Sequence, residues 1–171
     1  SGNSGWAPLF PWIIKCIQKF WNIEPKYIAF LLIHIFGSLA LYRIISIMPD
    51  QKSKWFASIL FLFAPGNVYF HALFPLTLLV WLLVEMIYCM QQSKWLLAGS
   101  FAYLAVLSYS IGFLLVLSIL LWLLFTWKSF KIQKLWIISL PILGLITWFG
   151  YDWACNGHWD ALFKIQMKYG H

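Results

Sequence analysis

Residues 27–48 read YIAFLLIHIFGSLALYRIISIM, an apolar run of about 22 positions broken only by His34, Gly37 and Arg43. An α-helix needs about 20 apolar residues to cross the hydrocarbon core of a bilayer, so this run is long enough. No polar stripe recurs along it, and a helix that is apolar on every side faces lipid or protein interior, not water. The rest of the chain repeats this character. It is 63% hydrophobic and 10% charged, against about 45–50% apolar and about 25% charged in an average soluble domain. Mean hydropathy is +0.80. There are 12 Trp and 8 Tyr, the residues that concentrate where membrane meets water. With too few polar residues to coat a soluble core, the sequence predicts an all-α, polytopic transmembrane helical bundle in a single domain spanning residues 1–171.

Outward from that run, the pattern predicts membrane helices over 27–48, 55–64, 67–90, 95–108, 112–127 and 135–153, about six spans or half-spans. Residues 8–21 are too short to cross. Their Ile13, Ile14, Ile17, Phe20 and Trp21 recur at helical spacing opposite Lys and Gln, as in an amphipathic helix lying in the interface. Pro65, Gly66 and Asn67 mark a turn, and Pro75 predicts a kink. Tyr109, Ser110, Ile111 and Gly112 form an uncharged turn. Residues 154–171 are an aromatic, polar tail.

The net charge of +7 does not imply nucleic-acid binding, because the lysines are scattered through the loops and form no stripe. They act as topology signals. The loops at 49–54, 91–94 and 128–134 fall on one face and hold Lys52, Lys54, Lys94, Lys128, Lys131 and Lys134. The turns at 65–67 and 109–112 fall on the other and hold neither Lys nor Arg. The positive-inside rule makes the first face cytoplasmic, in a bacterial plasma membrane or the endoplasmic reticulum. The N-terminal segment and the tail, with Lys15, Lys19, Lys26, Lys164 and Lys168, then lie outside. Cys16, Cys89 and Cys155 show neither CxxC nor metal spacing and read as packing residues. The chain opens at Ser1 without a signal-peptide pattern and reads as a piece whose beginning lies upstream.

Acids are scarce: Glu24, Asp50, Glu85, Asp152 and Asp160. No Ser/His/Asp arrangement, phosphate loop or HExxH is present, and no cofactor or metal set is identified. Asp50 reads as a solvated loop charge, Glu85 as reaching the interface or pairing with a nearby base. Arg43 is placed to snorkel toward headgroups. His34 lies deeper, bonded to a neighbouring helix or else functional. The polar groups predicted on the outer face are Asn67, Tyr69, His71, Tyr109, Ser110, Asp152, Asn156, His158 and Asp160. Together they would line a cavity at the outer membrane surface; individually each is an ordinary interfacial residue.

The order of several features resembles the PIG-V family of mannosyltransferases and its bacterial relatives of the GT-C glycosyltransferase class. That family shows W-A-F-F-P-L-Y-P; this chain has Trp6, Ala7, Pro8, Leu9, Phe10 and Pro11. It shows F-x-P-A-x-V-F-F-x-A-x-Y-S-E; this chain has Phe63, Ala64, Pro65, Gly66, Asn67, Val68, Tyr69, Phe70, His71 and Ala72. Its R-S-N-G turn is matched by Tyr109, Ser110, Ile111 and Gly112. Its G-D-P-x-A-F-x-x-x-Q-x-x-W-G pattern is matched by Gly157, His158, Trp159, Asp160, Ala161, Leu162, Phe163, Lys164, Ile165 and Gln166, then Tyr169 and Gly170. The matches run in order along nearly the whole chain.

The resemblance implies a GT-C-like bundle and mannosyl transfer from a polyprenyl-phosphate-linked donor on the outer or lumenal face. A carboxylate would activate the acceptor hydroxyl there, and the donor's phosphate would meet Lys164 and Lys168. The partners implied are membrane lipid and that sugar donor. The departures are specific. Where the family has Tyr-Ser-Glu this chain has Phe74, Pro75 and Leu76, and Tyr109 and Ile111 replace the Arg and Asn of the turn. The family's catalytic Asp precedes the Trp-Ala segment and would lie upstream of Ser1. Two alternatives therefore stand beside transfer: a non-catalytic relative or subunit packing on a partner, and a small transporter, for which only His34 lies at mid-membrane.

Overall fold

The computed structural model describes residues 7–63, 75–109, 112–126 and 132–157, and these are helical throughout with no strand among them. α1 (Leu9–Phe20) is followed by α2 (Pro25–Ile47), α3 (Gln51–Phe63), α4 (Leu76–Gln91), α5 (Trp95–Ser108), α6 (Phe113–Thr126) and α7 (Trp136–Asn156), with a 3₁₀ turn over Ile132–Leu135 leading into α7. Proline at the first position opens α2, where its missing N–H costs nothing. Asp50 accepts hydrogen bonds from the Ser53 N–H at 2.9 Å and the Ser53 hydroxyl at 2.6 Å. These bonds hold its carboxyl below the ordinary value of 3.8 and act as an N-terminal cap. α3 therefore starts four residues ahead of the predicted 55–64, inside the stretch expected to be loop. α5 spans the predicted 95–108. α7 runs past the predicted 153 to Asn156 and stops where Gly157 takes the left-handed conformation, φ 70°, that suits a glycine cap.

Two helices are long and apolar enough to cross a membrane, Pro25–Ile47 and Trp136–Cys155. Only 28% of either hydrophobic window is buried, whereas the core helix of a soluble protein is mostly covered by its own chain. Phe30, Leu31, Ile35 and Leu39 of α2 and Ile142, Leu143 and Ile146 of α7 all face outward. Large apolar side chains exposed along whole helices point to a membrane environment.

α5 is the axis. Ala98, Gly99, Ala102, Ala105, Val106, Leu107 and Ser108 are buried on it, mostly small side chains. α7 packs along one side and α4 along another, and α2 packs on the far side of α4. The approach of α5 to α7 is backbone to backbone. A Cβ added at Gly99 would overlap the carbonyl of Trp136, and one at Gly144 would lie 3.1 Å from the carbonyl of Tyr103. Small residues permit this approach, which in lipid is the main source of helix–helix attraction.

Two sets of contacts define the ends. At one, the Arg43 Nε donates to Glu85 Oε1 at 2.8 Å, joining the last turns of α2 and α4. In addition, the Lys134 ammonium lies 5.5 Å from the Trp95 ring and 5.3 Å from the Trp122 ring, tying α5, α6 and the turn before α7 together. At the opposite end α1 packs on α2 and α5. Its Phe10, Ile13, Ile14 and Ile17 pack toward Ile28, Ala29 and Leu32 of α2, while Lys15, Cys16 and Lys19 are exposed. This is the amphipathic helix expected over 8–21.

Gly99→Ala should destabilise the purified protein in detergent micelles by about 1–3 kcal/mol, the usual range for overpacking. Gly150→Ala, with nothing within 4 Å of its Cβ, should change stability by less than about 0.5 kcal/mol. Equal effects in denaturant unfolding would contradict the close crossing.

Candidate functional site

The last two turns of α7 carry the unusual chemistry. Once α7 has crossed α5 at Gly144, its next inward residues are Trp148 and Asp152, one helical turn apart on one face. Trp148 packs in a cluster with Ala7, Val106, Leu107 and Val116, so the residues leading into α1, the end of α5 and the start of α6 all close on it. Asp152 is wholly buried, with 0% of its surface accessible. Beside them Tyr151 meets the ring of Trp12 edge to face at 5.2 Å, which ties α1 to the end of α7.

Among the described residues, both Asp152 carboxylate oxygens and the Trp148 indole nitrogen lack hydrogen-bond partners. Every other acid among the described residues has one. Glu24 pairs with Lys26 at 2.6 Å, Asp50 with Ser53, and Glu85 with Arg43. Leaving a buried polar group unpaired costs about 1–3 kcal/mol, more for a charged one. Two such groups of complementary character, an acceptor and a donor, stand on successive turns and call for a physical explanation. A third orphan, the Thr77 hydroxyl, sits at the start of α4, its methyl 3.6 Å from a Cβ position at Gly37 of α2.

Of the residues singled out in the sequence, Asn67, Tyr69, His71, Ser110, His158, Asp160, Lys164 and Lys168 lie outside the described residues. Tyr109 and Asp152 are described, and the structure brings both to the α1 end. Tyr109 follows α5, half-buried, against the cluster around Phe10. Asp152 is not in an exposed tail: α7 continues through it, and its side chain is buried and does not line an open surface. Sequence reasoning missed Trp148 and Trp12. The only signal for Trp148 is its spacing of four before Asp152, which puts an indole and a carboxylate on one helical face.

Other groups resolve into structural roles. Arg43 does not reach outward for headgroups; Glu85 holds it, and the ring of Tyr88 lies 4.0 Å beneath its guanidinium. Within its own helix, the His34 Nδ1 is 2.8 Å from the Phe30 carbonyl. Among the described residues no three His, Cys, Asp or Glu side chains come together to hold a metal ion. Cys89 is buried, as a packing residue would be, while Cys16 and Cys155 are exposed. No protein-family model matches the chain, and no curated protein or solved structure matches it.

The Arg43–Glu85 pair offers a direct check on this division between structural and unsatisfied charges. Its side chains are 24% and 10% exposed. Glu85→Leu strands the guanidinium and should cost about 3 kcal/mol, the low end for a buried pair. In denaturant unfolding the Arg43→Leu/Glu85→Leu double variant should lose clearly less than the sum of the two single losses. Additive losses would show that the two residues do not interact.

Proposed function

We propose that this chain is a multi-span integral membrane protein of the GT-C-like, sugar-transferring kind, similar to the PIG-V mannosyltransferases, and that it works at the α1 end of the bundle. The observation that carries the reading is the buried, unpartnered Asp152 beside Trp148. Ionisable residues inside membrane helices are costly and are retained for function by default. Here every other described acid has an ion-pair or hydrogen-bond partner, and this one has none among the described residues.

Three further features support it. The two long apolar helices are mostly uncovered by protein, as lipid-facing spans are. The segment resembling the family's Trp-Ala motif leads into α1, and Ala7 and Trp12 pack directly on Trp148 and Tyr151. The end holding Arg43, Lys94 and Lys134 is the cytoplasmic one by the positive-inside rule, which turns Asp152 toward the outer or lumenal face, where a polyprenyl-linked donor presents its sugar. The bond broken in such a transfer joins the sugar's C1 to the carrier phosphate. The acceptor oxygen attacks C1 as a carboxylate takes its proton, and the polyprenyl phosphate leaves. The replacement of the family's Tyr-Ser-Glu by Phe74, Pro75 and Leu76 favours a second reading, a relative that binds the lipid-linked sugar without transferring it.

The test is transfer in reconstituted membranes. Vesicles containing the protein and radiolabelled polyprenyl-phosphate mannose should move label into a second glycolipid and release polyprenyl phosphate, and vesicles lacking the protein should not. Donor left intact, with glucose and galactose forms of the carrier as well, would overturn transfer in favour of the non-catalytic reading.

A further inference from the structure

Asp152 and Trp148 do more than mark an end of the bundle. A carboxylate is an acceptor only, and an indole N–H is a donor only. Neither can satisfy a second copy of itself, and a hydroxyl can satisfy both at once, because it carries one donor and two acceptor lone pairs. Apolar ligands would leave both groups unpaired, and a bare cation would satisfy the carboxylate while repelling the indole N–H. Tyr151, next to Asp152 in the chain, packs its ring edge to face on Trp12 of α1, and small-molecule sites combine such aromatic surface with a few placed polar groups. α1, which carries Trp12, packs lightly on the bundle compared with the α4, α5 and α7 contacts. Ala7, which leads into α1, is part of the cover over Trp148.

We propose that Asp152 and Trp148 form a hydroxyl-recognition pair for the sugar of a lipid-linked ligand, Asp152 accepting from a sugar hydroxyl and the Trp148 Nε1–H donating to a sugar oxygen. The inference rests on the sugar-transferase reading and deepens it by assigning specificity to residues that the family resemblance leaves without a role. These are binding residues: they hold the sugar in place, and no bond is made or broken at them. A site built to bond a hydroxyl discriminates strongly against a ligand lacking it, because its own buried groups are then left unpaired.

The test measures equilibrium binding to the full chain in lipid nanodiscs. The probes are polyprenyl-phosphate mannose as the donor source of the sugar, a mannose-bearing glycolipid as the acceptor source, and polyprenyl phosphate without sugar. The unsubstituted protein should bind one of the two sugar-bearing lipids at least about tenfold more tightly than polyprenyl phosphate, and which one it prefers identifies the source. Asp152→Asn and Trp148→Phe should each weaken that binding by about tenfold or more, the worth of one charge-assisted or buried hydrogen bond. Both should leave polyprenyl phosphate binding within about twofold, which a general loss of fold would not do. In infrared difference spectra, the preferred lipid should shift a carboxyl band that Asp152→Asn removes. If the protein prefers a sugar-bearing lipid but both variants bind it with full affinity, the recognition pair is wrong and the transferase reading survives. If no sugar-bearing lipid is preferred over polyprenyl phosphate, both fall together.

Discussion

The structure depends on how closely α5 and α7 approach. Between two helices in lipid the hydrophobic effect gives little, since acyl chains are as apolar as leucine; attraction comes from van der Waals packing where side chains are small. Gly99 against the Trp136 carbonyl and Gly144 against the Tyr103 carbonyl bring the two backbones together. Ala98, Ala102 and Ala105 then turn the neighbouring face of α5 to Met86 and Cys89 of α4 and to the core around Leu78 and Leu82. With that axis set, α2 adds to α4 and is fastened by Arg43 to Glu85. Beyond that crossing, Trp148 is drawn under Ala7, which leads into α1, and Asp152 one turn on is buried as well.

The resulting molecule separates its charges into two kinds. Glu24, Asp50 and Glu85 are each answered by a neighbour, and of these the part-buried Glu85–Arg43 pair joins two helices. Asp152 is not answered, and the most economical account of a carboxylate kept dry beside a lone indole N–H is that both are held for a polar ligand. The exposed apolar length of α2 and α7 and the amphipathic α1 packed at one end of the bundle fit a ligand that arrives along a membrane surface. A lipid-linked sugar has that form: an apolar carrier in the bilayer and a cluster of hydroxyls at its boundary.

Much of the helical layout was legible in the sequence, because it is written in local patterns. The 95–108 helix needed only its apolar run and its polar flanks, and α1 only the spacing of Ile13, Ile14 and Ile17 against Lys15 and Lys19. What was not legible depends on partners distant in the chain. Nothing local says that Glu85 captures Arg43 from forty-two positions away; the Asp50 cap of α3, made to Ser53 three residues on, is by contrast a local signal that the loop reading of 49–54 passes over. Asp152 falls inside the predicted 135–153 helix and is grouped there with the outer-face polar residues, because a hydropathy run does not say which way one side chain of a helix points. The structure buries it one turn after Trp148, whose own cover comes from Ala7, Val106, Leu107 and Val116.

Topology is the most direct point of attack, because the reading requires Lys94 and Asn156 on opposite sides of one membrane. In a background with Cys16, Cys89 and Cys155 replaced by serine or alanine, single cysteines at those two positions can be labelled with a membrane-impermeant maleimide on intact cells. Labelling at Asn156→Cys, with Lys94→Cys reacting only after permeabilisation, is the predicted result. Labelling of both from outside, or of Lys94→Cys alone, would contradict it.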